Sequence, residues 1–223
     1  MFDREIRLIG LEKYDLIKSK TVAIIGLGGV GGYALETLVR SGIESIILVD
    51  YDTIDISNIN RQIIATTKNI GTKKIEAAKL RTLEINPNCK ITTLDLKLNE
   101  DNIDSLFNFK IDNIIDACDT ISVKKRLILE CHKRKIKLIS SMGSGNKLDP
   151  TKFSICDIRK TSYDPIAKII RKFVIENKIK EKVMVVSSTE AQKKIEGVIS
   201  SISYVPSVVG IYLTTYVIND IIK

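Results

Sequence analysis

The sequence of 223 residues predicts an α/β domain built on a doubly wound, mostly parallel sheet with helices on both faces and a mixed C-terminal extension. Three observations carry this. Short β-branched runs alternate with longer amphipathic segments, the order expected when helices connect parallel strands. A glycine-rich turn, Gly26-x-Gly28-x-x-Gly31, follows the first apolar run and opens the first connecting helix. Hydrophobic residues make up 44% of the chain, enough for one large core.

Residues 3–19 read as an amphipathic helix or helix pair. A buried strand follows over 21–25, a helix over 33–41 and a second strand over 45–49. "GTKKIEAAKLRTLEINP" is a helix stopped before Pro87, since the residue ahead of a proline resists the helical conformation. "KITTLDL" alternates as a third strand, "IDNIIDA" is a fourth, "VKKRLILECHKRK" a helix and "IKLISSM" a fifth strand. From Phe153 the pattern changes. "FSICDI" and "VMVVSST" read as strands flanking a basic helix over 165–178, and "SSISYV" as a last strand before a C-terminal helix. With no repeat or linker, the chain reads as one domain over 1–223. Its parts are a helical segment at 1–20, a nucleotide-binding core at 21–150 and a substrate-side extension at 151–223.

The uncharged stretch 197–219 is long enough to span a bilayer. Pro206, Gly210 and its many hydroxyl side chains favour a strand and buried helix instead, so no membrane insertion is expected. The start, "MFDREIRLIG", is charged and has no secretory core, which predicts a cytoplasmic protein. Cys89, Cys118, Cys131 and Cys156 form no CxxC pair, which argues against structural zinc.

The glycine turn is a phosphate-binding device. Glycine lets the backbone approach an anion, and the helix start offers free N–H groups and partial positive charge. Asp50, at the end of the second strand, suits ribose hydroxyls. This much fits NAD as well as ATP. The next segment favours ATP. "DYDTIDISNINRQ" places Asp50, Asp52, Asn58, Arg61 and Gln62 within thirteen residues. A hydride-transfer site needs a flat apolar pocket; phosphate chemistry needs cationic and amide donors. Arg61 offers a planar fork for phosphate oxygens, and Lys74 a point charge at the opening of the next helix. In "DACDT", Asp116 and Asp119 end the fourth strand at the ligand-binding edge, where one carboxylate can hold Mg2+ against a triphosphate. Capping of the next helix by Asp119 or Thr120 is compatible with that role.

"GLGGVGG", "VDYDTIDISNINRQ", "GTKK" and "DACDT" together resemble the adenylation domain of the ubiquitin-activating superfamily, which includes the ThiF- and MoeB-type enzymes. The resemblance implies ATP and Mg2+ as cofactors. It puts Gly26, Gly28, Gly29 and Gly31 at the nucleotide and Asp50 on the ribose, with Asp52 beside them. It turns Asn58, Arg61, Gln62 and Lys74 to the phosphates and Asp119 to the metal. Arg7, in "REIRLIG", resembles an arginine that crosses a homodimer to the neighbour's ATP.

"RLIGLEKYDLIK", "INPNCKIT", "GSGNKLDPTKFSICDIRKTSYDPIAK", "SSTEA" and "SYVPSVVG" resemble one branch of that superfamily, the tRNA threonylcarbamoyladenosine dehydratases. That branch implies adenylation of the modification's carboxylate, closure of a ring by its own carbamoyl group and loss of AMP. No enzyme thiol is needed, because the second nucleophile is intramolecular. The implied partners are tRNA carrying threonylcarbamoyladenosine, a second copy of the chain and a sulfur-transfer protein. Two rival classes stand beside this one: an adenylyltransferase for a ubiquitin-like sulfur carrier, and a nucleotide-binding module or NAD enzyme.

Net charge is +8, from 35 Lys and Arg against 27 Asp and Glu, which suits an anionic partner. Two basic groups are candidates for RNA phosphates: Lys124, Lys125, Arg126, Lys133, Arg134 and Lys135 on one helix, and a second group that begins with Lys168, Arg171 and Lys172 and continues through Lys178, Lys180 and Lys182. His132, the only histidine, reads as a surface residue or one that supports the site from behind, not as a catalytic group.

Overall fold

The structure is a computed structural model that describes residues 1–193, 195, 197 and 199–223. Two short helices, α1 (Asp3–Ile9) and α2 (Leu11–Ser19), precede β1 (Thr21–Ile25), α3 (Gly31–Arg40) and β2 (Ser45–Asp50). A long polar connection leads to α4 (Lys74–Ile85) and β3 (Lys90–Asp95). Then come β4 (Asn113–Asp116), α5 (Ile121–Arg134) and β5 (Lys137–Ser141). The extension adds β6 (Phe153–Asp157), α6 (Pro165–Glu176), β7 (Met184–Ser188) and α7 (Tyr204–Ile221).

The seven strands form one sheet in the order β3-β2-β1-β4-β5-β7-β6. Every pairing is parallel except that of β6 with β7. Successive strand residues face opposite sides, so β1 sends Val22 and Ile24 into one core and Ala23 and Ile25 into the other. The first core packs against α3, α4 and α7, the second against α5, and a third joins α5 to α6. Strand order reverses between β1 and β4, which opens a crevice at their carboxyl ends.

"SSISYV" is not a strand. The segment before Tyr204 has no regular structure, and α7 takes up Tyr204 and Val205. Among the described residues no strand lies beside it to complete a ladder. Its backbone is held by isolated bonds: Ser200 N–H donates to Asn146 Oδ1 (2.8 Å), the Ser200 carbonyl accepts the Asn146 N–H (2.8 Å), and Asn60 Nδ2 donates to the Ser201 carbonyl (3.1 Å). From Val205 the burial period is helical, through Val209, Leu213 and Val217. α7 lies so close to α3 that a Cβ on Gly210 would meet the Val30 carbonyl oxygen at 2.4 Å. Among the described residues no helix is long and apolar enough to cross a membrane; Val198, within the uncharged stretch, lies outside them.

Candidate nucleotide-binding cleft

A cleft of about 350 Å3 opens at the carboxyl ends of β1, β2 and β4. Its floor is the turn between β1 and α3. Gly26 takes φ +87°, and a Cβ there would press on the Ala117 carbonyl at 3.0 Å, so both conformation and space require glycine. Gly28 and Gly29 line the cleft. Gly31 does not. A Cβ on Gly31 would lie 1.8 Å from the Gly26 carbonyl oxygen, so its part is to let α3 close onto the turn.

Asp50, buried at the end of β2, braces that turn. One carboxylate oxygen accepts the Leu27 N–H (2.6 Å) and the other the Asp52 N–H (2.8 Å). Each oxygen keeps a second lone pair for a ligand hydroxyl. Asp52 ion-pairs with the nearly buried Lys74 at 2.7 Å and accepts the Lys74 N–H at its carbonyl (3.0 Å), fixing the start of α4 against the cleft.

The polar connection folds as a 310 turn over Ile56–Asn58. Asp55 caps it by accepting the Ser57 N–H, and Asn58 returns a bond to the Asp55 N–H. The buried Asn58 carbonyl then accepts the Arg61 and Gln62 N–H groups, which aims both side chains at the cleft wall. Arg61 donates to the Ser57 carbonyl (2.7 Å) and Asn60 Oδ1 (3.0 Å). Among the described residues it has no carboxylate partner. Gln62 Oε1 is buried in the cleft lining without a hydrogen-bond partner among those residues. Such an atom is costly unless a ligand or water satisfies it.

Across the cleft, Asp119 is exposed, and its carboxylate accepts only a 3.3 Å bond from the Thr120 hydroxyl among the described residues. Ten of the residues chosen from the sequence therefore meet in one cleft: Gly26, Gly28, Gly29, Asp50, Asp52, Asn58, Arg61, Gln62, Lys74 and Asp119. Arg7 lies outside the cleft, exposed on α1 and paired with Asp3 at 2.9 Å.

Sequence reasoning missed the opposite wall. Leu96, Lys97 and Leu98 at the exit of β3 face Tyr51 and Val123, and Lys97 Nζ stands 5.1 Å from the Tyr51 ring centre. With Ile25 and Val49 these add apolar surface to a cleft that is otherwise polar, a place where a purine base can pack. The signal was the exit of a strand at the ligand edge, readable only once β3 is known to lie beside β2.

Lys124 corrects the reading of α5 as an RNA-binding face. Its side chain is 1% exposed and pairs with the wholly buried Asp116 at 3.0 Å, while also donating to the Ser141 carbonyl. Burial alone would lower the pKa of this ammonium; the Asp116 carboxylate, with Cys118 and Asp119, raises it instead. Arg126 and Arg134 pair with Glu130 and Asp104. Exposed His132 meets Glu181 at 3.2 Å. Burial, then the Asp116 charge, drives the Cys118 thiol far above its usual range, and burial pushes Cys89 and Cys131 up to about 12. These thiols stay protonated at neutral pH, which disfavours nucleophilic use. No cluster of metal-ligating side chains occurs among the described residues.

Comparison with known proteins agrees with this geometry. A tRNA threonylcarbamoyladenosine dehydratase of Bacillus subtilis is 40% identical over 240 aligned positions, spanning 100% of this chain and 94% of that protein. A crystal structure of the Escherichia coli tRNA N6-threonylcarbamoyladenosine dehydratase in complex with ATP superposes with a TM-score of 0.92 at 32% identity, covering 99% of this chain and 93% of that one. A molybdopterin-synthase adenylyltransferase of Haemophilus influenzae is more distant, 27% identical over 78% of this chain and 72% of that protein. The ThiF family model matches residues 2–222, and the chain belongs to the ThiF family.

Proposed function

We propose that this protein is an ATP-dependent tRNA threonylcarbamoyladenosine dehydratase. The observation that carries the proposal is the full-length likeness to a B. subtilis protein of that name, in a chain whose cleft is furnished for a nucleoside triphosphate. The cleft residues fit ATP. The glycine turn admits phosphate, Asp50 has lone pairs for ribose, and the orphaned Gln62 Oε1 awaits a donor. They also fit Mg2+ held by one carboxylate and the phosphates, its usual mode in such sites, with Asp119 as that carboxylate. Bound there, Mg2+ would offset triphosphate charge.

In the proposed reaction a carboxylate oxygen of the modified adenosine attacks the α-phosphorus of ATP, and pyrophosphate leaves. The carbamoyl group then attacks the activated carbonyl, the C–O bond to AMP breaks, and the ring closes with a proton lost to solvent. Lys74 exchanges Asp52 for phosphate oxygens, and Arg61 adds its fork. The glycine turn and α3 amides hold the chain of phosphates in line.

Three further parts belong to the proposal. The chain acts in the cytoplasm as a homodimer, with Arg7 of each subunit completing the other's site; exposed Leu8 and Leu11 on the same helices support a subunit contact. It works as one domain, with residues 151–223 forming the tRNA side. A sulfur-transfer protein is a further partner, not required for the two chemical steps. The test is mass spectrometry of tRNA nucleosides after incubation of modified tRNA with ATP, Mg2+ and the purified protein. The expected product is the modified nucleoside lighter by one water. ATP–pyrophosphate exchange that responds only to a ubiquitin-like carrier, with the nucleoside unchanged, would overturn the proposal.

A further inference from the structure

The chain's surplus charge is concentrated. Residues 151–182 hold nine Lys and Arg against four Asp and Glu, which is +5 of the total +8. The structure withdraws several of these charges. Asp164 is fully buried, caps α6 by accepting the Ala167 N–H, and pairs with the equally buried Lys147 at 3.1 Å. Arg159 is occupied by Asp157. Arg171, a candidate phosphate ligand by sequence, donates to the Thr161 carbonyl and hydroxyl and so holds the turn ahead of α6.

Lys152, Lys160, Lys178, Lys180 and Lys182 stay exposed elsewhere on this segment, and α6 itself carries a short ridge. Lys168 and Lys172 stand one turn apart on the exposed face of α6. Among the described residues their one acidic partner is Glu176, 3.6 Å from Lys172 with both side chains in water, a pairing worth little. Tyr163, on the turn that Arg171 holds, is 71% exposed in a left-handed conformation (φ +57°).

The helix that carries the ridge starts at the carboxyl edge of the sheet. Lys147 also donates to the Gly143 carbonyl (2.7 Å), just past the carboxyl end of β5, so the Lys147–Asp164 pair bolts the first turn of α6 to that edge. α5 differs. Its exposed lysines without ion pairs at the far end, Lys133 and Lys135, lie where the helix has run from the cleft edge to the opposite one.

We infer that Tyr163, Lys168 and Lys172 form the docking surface for the substrate tRNA, the lysines on its phosphates and the ring beneath an unstacked base. This rests on the proposed dehydratase function. The chemistry favours RNA over an acidic protein, because cations beside an exposed aromatic ring match a backbone and a base face together.

The experiment is anisotropy of labelled, modified tRNA across a salt series, with wild-type turnover of the same tRNA measured alongside. Lys168→Gln/Lys172→Gln should lower the log–log salt slope by roughly 1.4–1.8, the loss expected for two phosphate contacts. Tyr163→Ala should keep the slope and weaken binding by roughly fivefold to a hundredfold. Lys133→Gln/Lys135→Gln should match wild type. An unchanged slope in the α6 double variant, or an equal fall in the α5 control, overturns the assignment even while wild-type enzyme dehydrates tRNA; the former result would hand the ridge to an acidic protein. Wild-type protein that binds ATP but never converts the tRNA would remove the proposed function itself.

Discussion

Lys74 shows how a single side chain carries two states. With no phosphate beside it, its ammonium rests on Asp52 at 2.7 Å; a triphosphate offers it a stronger anion a short swing away. Arg61 is held by a neighbouring carbonyl and amide rather than a carboxylate, so it can turn to phosphate without breaking an ion pair. Lys74→Ala, Arg61→Ala and Asp119→Ala should each cut turnover by roughly 10²–10³, the usual loss for one positioned charge or donor. Binding of tRNA should persist, and steady-state turnover with a parallel binding assay checks both. Lys124 behaves differently. Lys124→Met strands the buried Asp116 carboxylate and should cost about 3–5 kcal/mol of stability, read as a shifted urea midpoint. Most cleft residues were legible in the sequence because phosphate recognition demands glycine, amide and cationic groups within short spans. Lys124 was not, since residue type alone does not tell a buried lysine from a surface one. Its partner Asp116 lies at the end of β4, and only the packed fold brings the two to 3.0 Å.

At the scale of elements, α3 ties the cleft to the rest of the molecule. Its buried Glu36 accepts from Arg40 and from Arg81 on α4 at 2.7–2.9 Å, joining the helices on either side of the polar connection. Burial pushes the Glu36 carboxyl upward, but the Arg81 and Arg40 bonds outweigh it and hold the pKa below the ordinary value. A carboxyl depressed by folding stabilises the protein above its unfolded pKa of about 4.3, and that contribution fades as pH falls through the folded value. Glu36→Gln should therefore lose about 1 kcal/mol at pH 7, discounted for the solvent-exposed arginines, and converge on wild type in acid as pH falls below the folded value. Urea midpoints at neutral and acid pH check this; a gap that persists at low pH would place the effect in packing instead. The other face of α3 receives α7, where Gly210→Val should unseat the helix, because even a Cβ meets the Val30 carbonyl at 2.4 Å. Loss of cooperative melting or weakened ATP binding is the expected readout. The helices and first seven strands followed from periodicity and stops. "SSISYV" misled because alternation records only the spacing of apolar residues, and whether a sheet edge lies alongside is a property of the whole fold.

The whole molecule poses the question of how many chains make one site. Within one chain the cleft gathers its glycine turn, Asp50, Arg61, Gln62 and Lys74, yet Arg7 stands outside it on a helix with no buried residue. An isolated seven-residue helix is too short to be stable in water without packing. Its exposed Leu8, together with Leu11 at the start of α2, gives an apolar surface that a second copy would cover. The surface ion pair of Arg7 with Asp3 is weak enough to be exchanged for a phosphate. In the proposed homodimer each ATP site then draws Arg61 from one chain and Arg7 from the other. Arg7→Ala and Arg61→Ala should each be nearly inactive alone. Mixed and allowed to exchange subunits, they should regain activity, because a heterodimer contains one site with both arginines and one with neither. Random assortment makes heterodimers about half of the population, and each has one working site, so recovered turnover should approach about one quarter of wild type. Native mass spectrometry confirms the exchange. If heterodimers form and turnover stays at the level of the separate variants, Arg7 acts within its own chain or not at all, and the dimer would need another reason to exist.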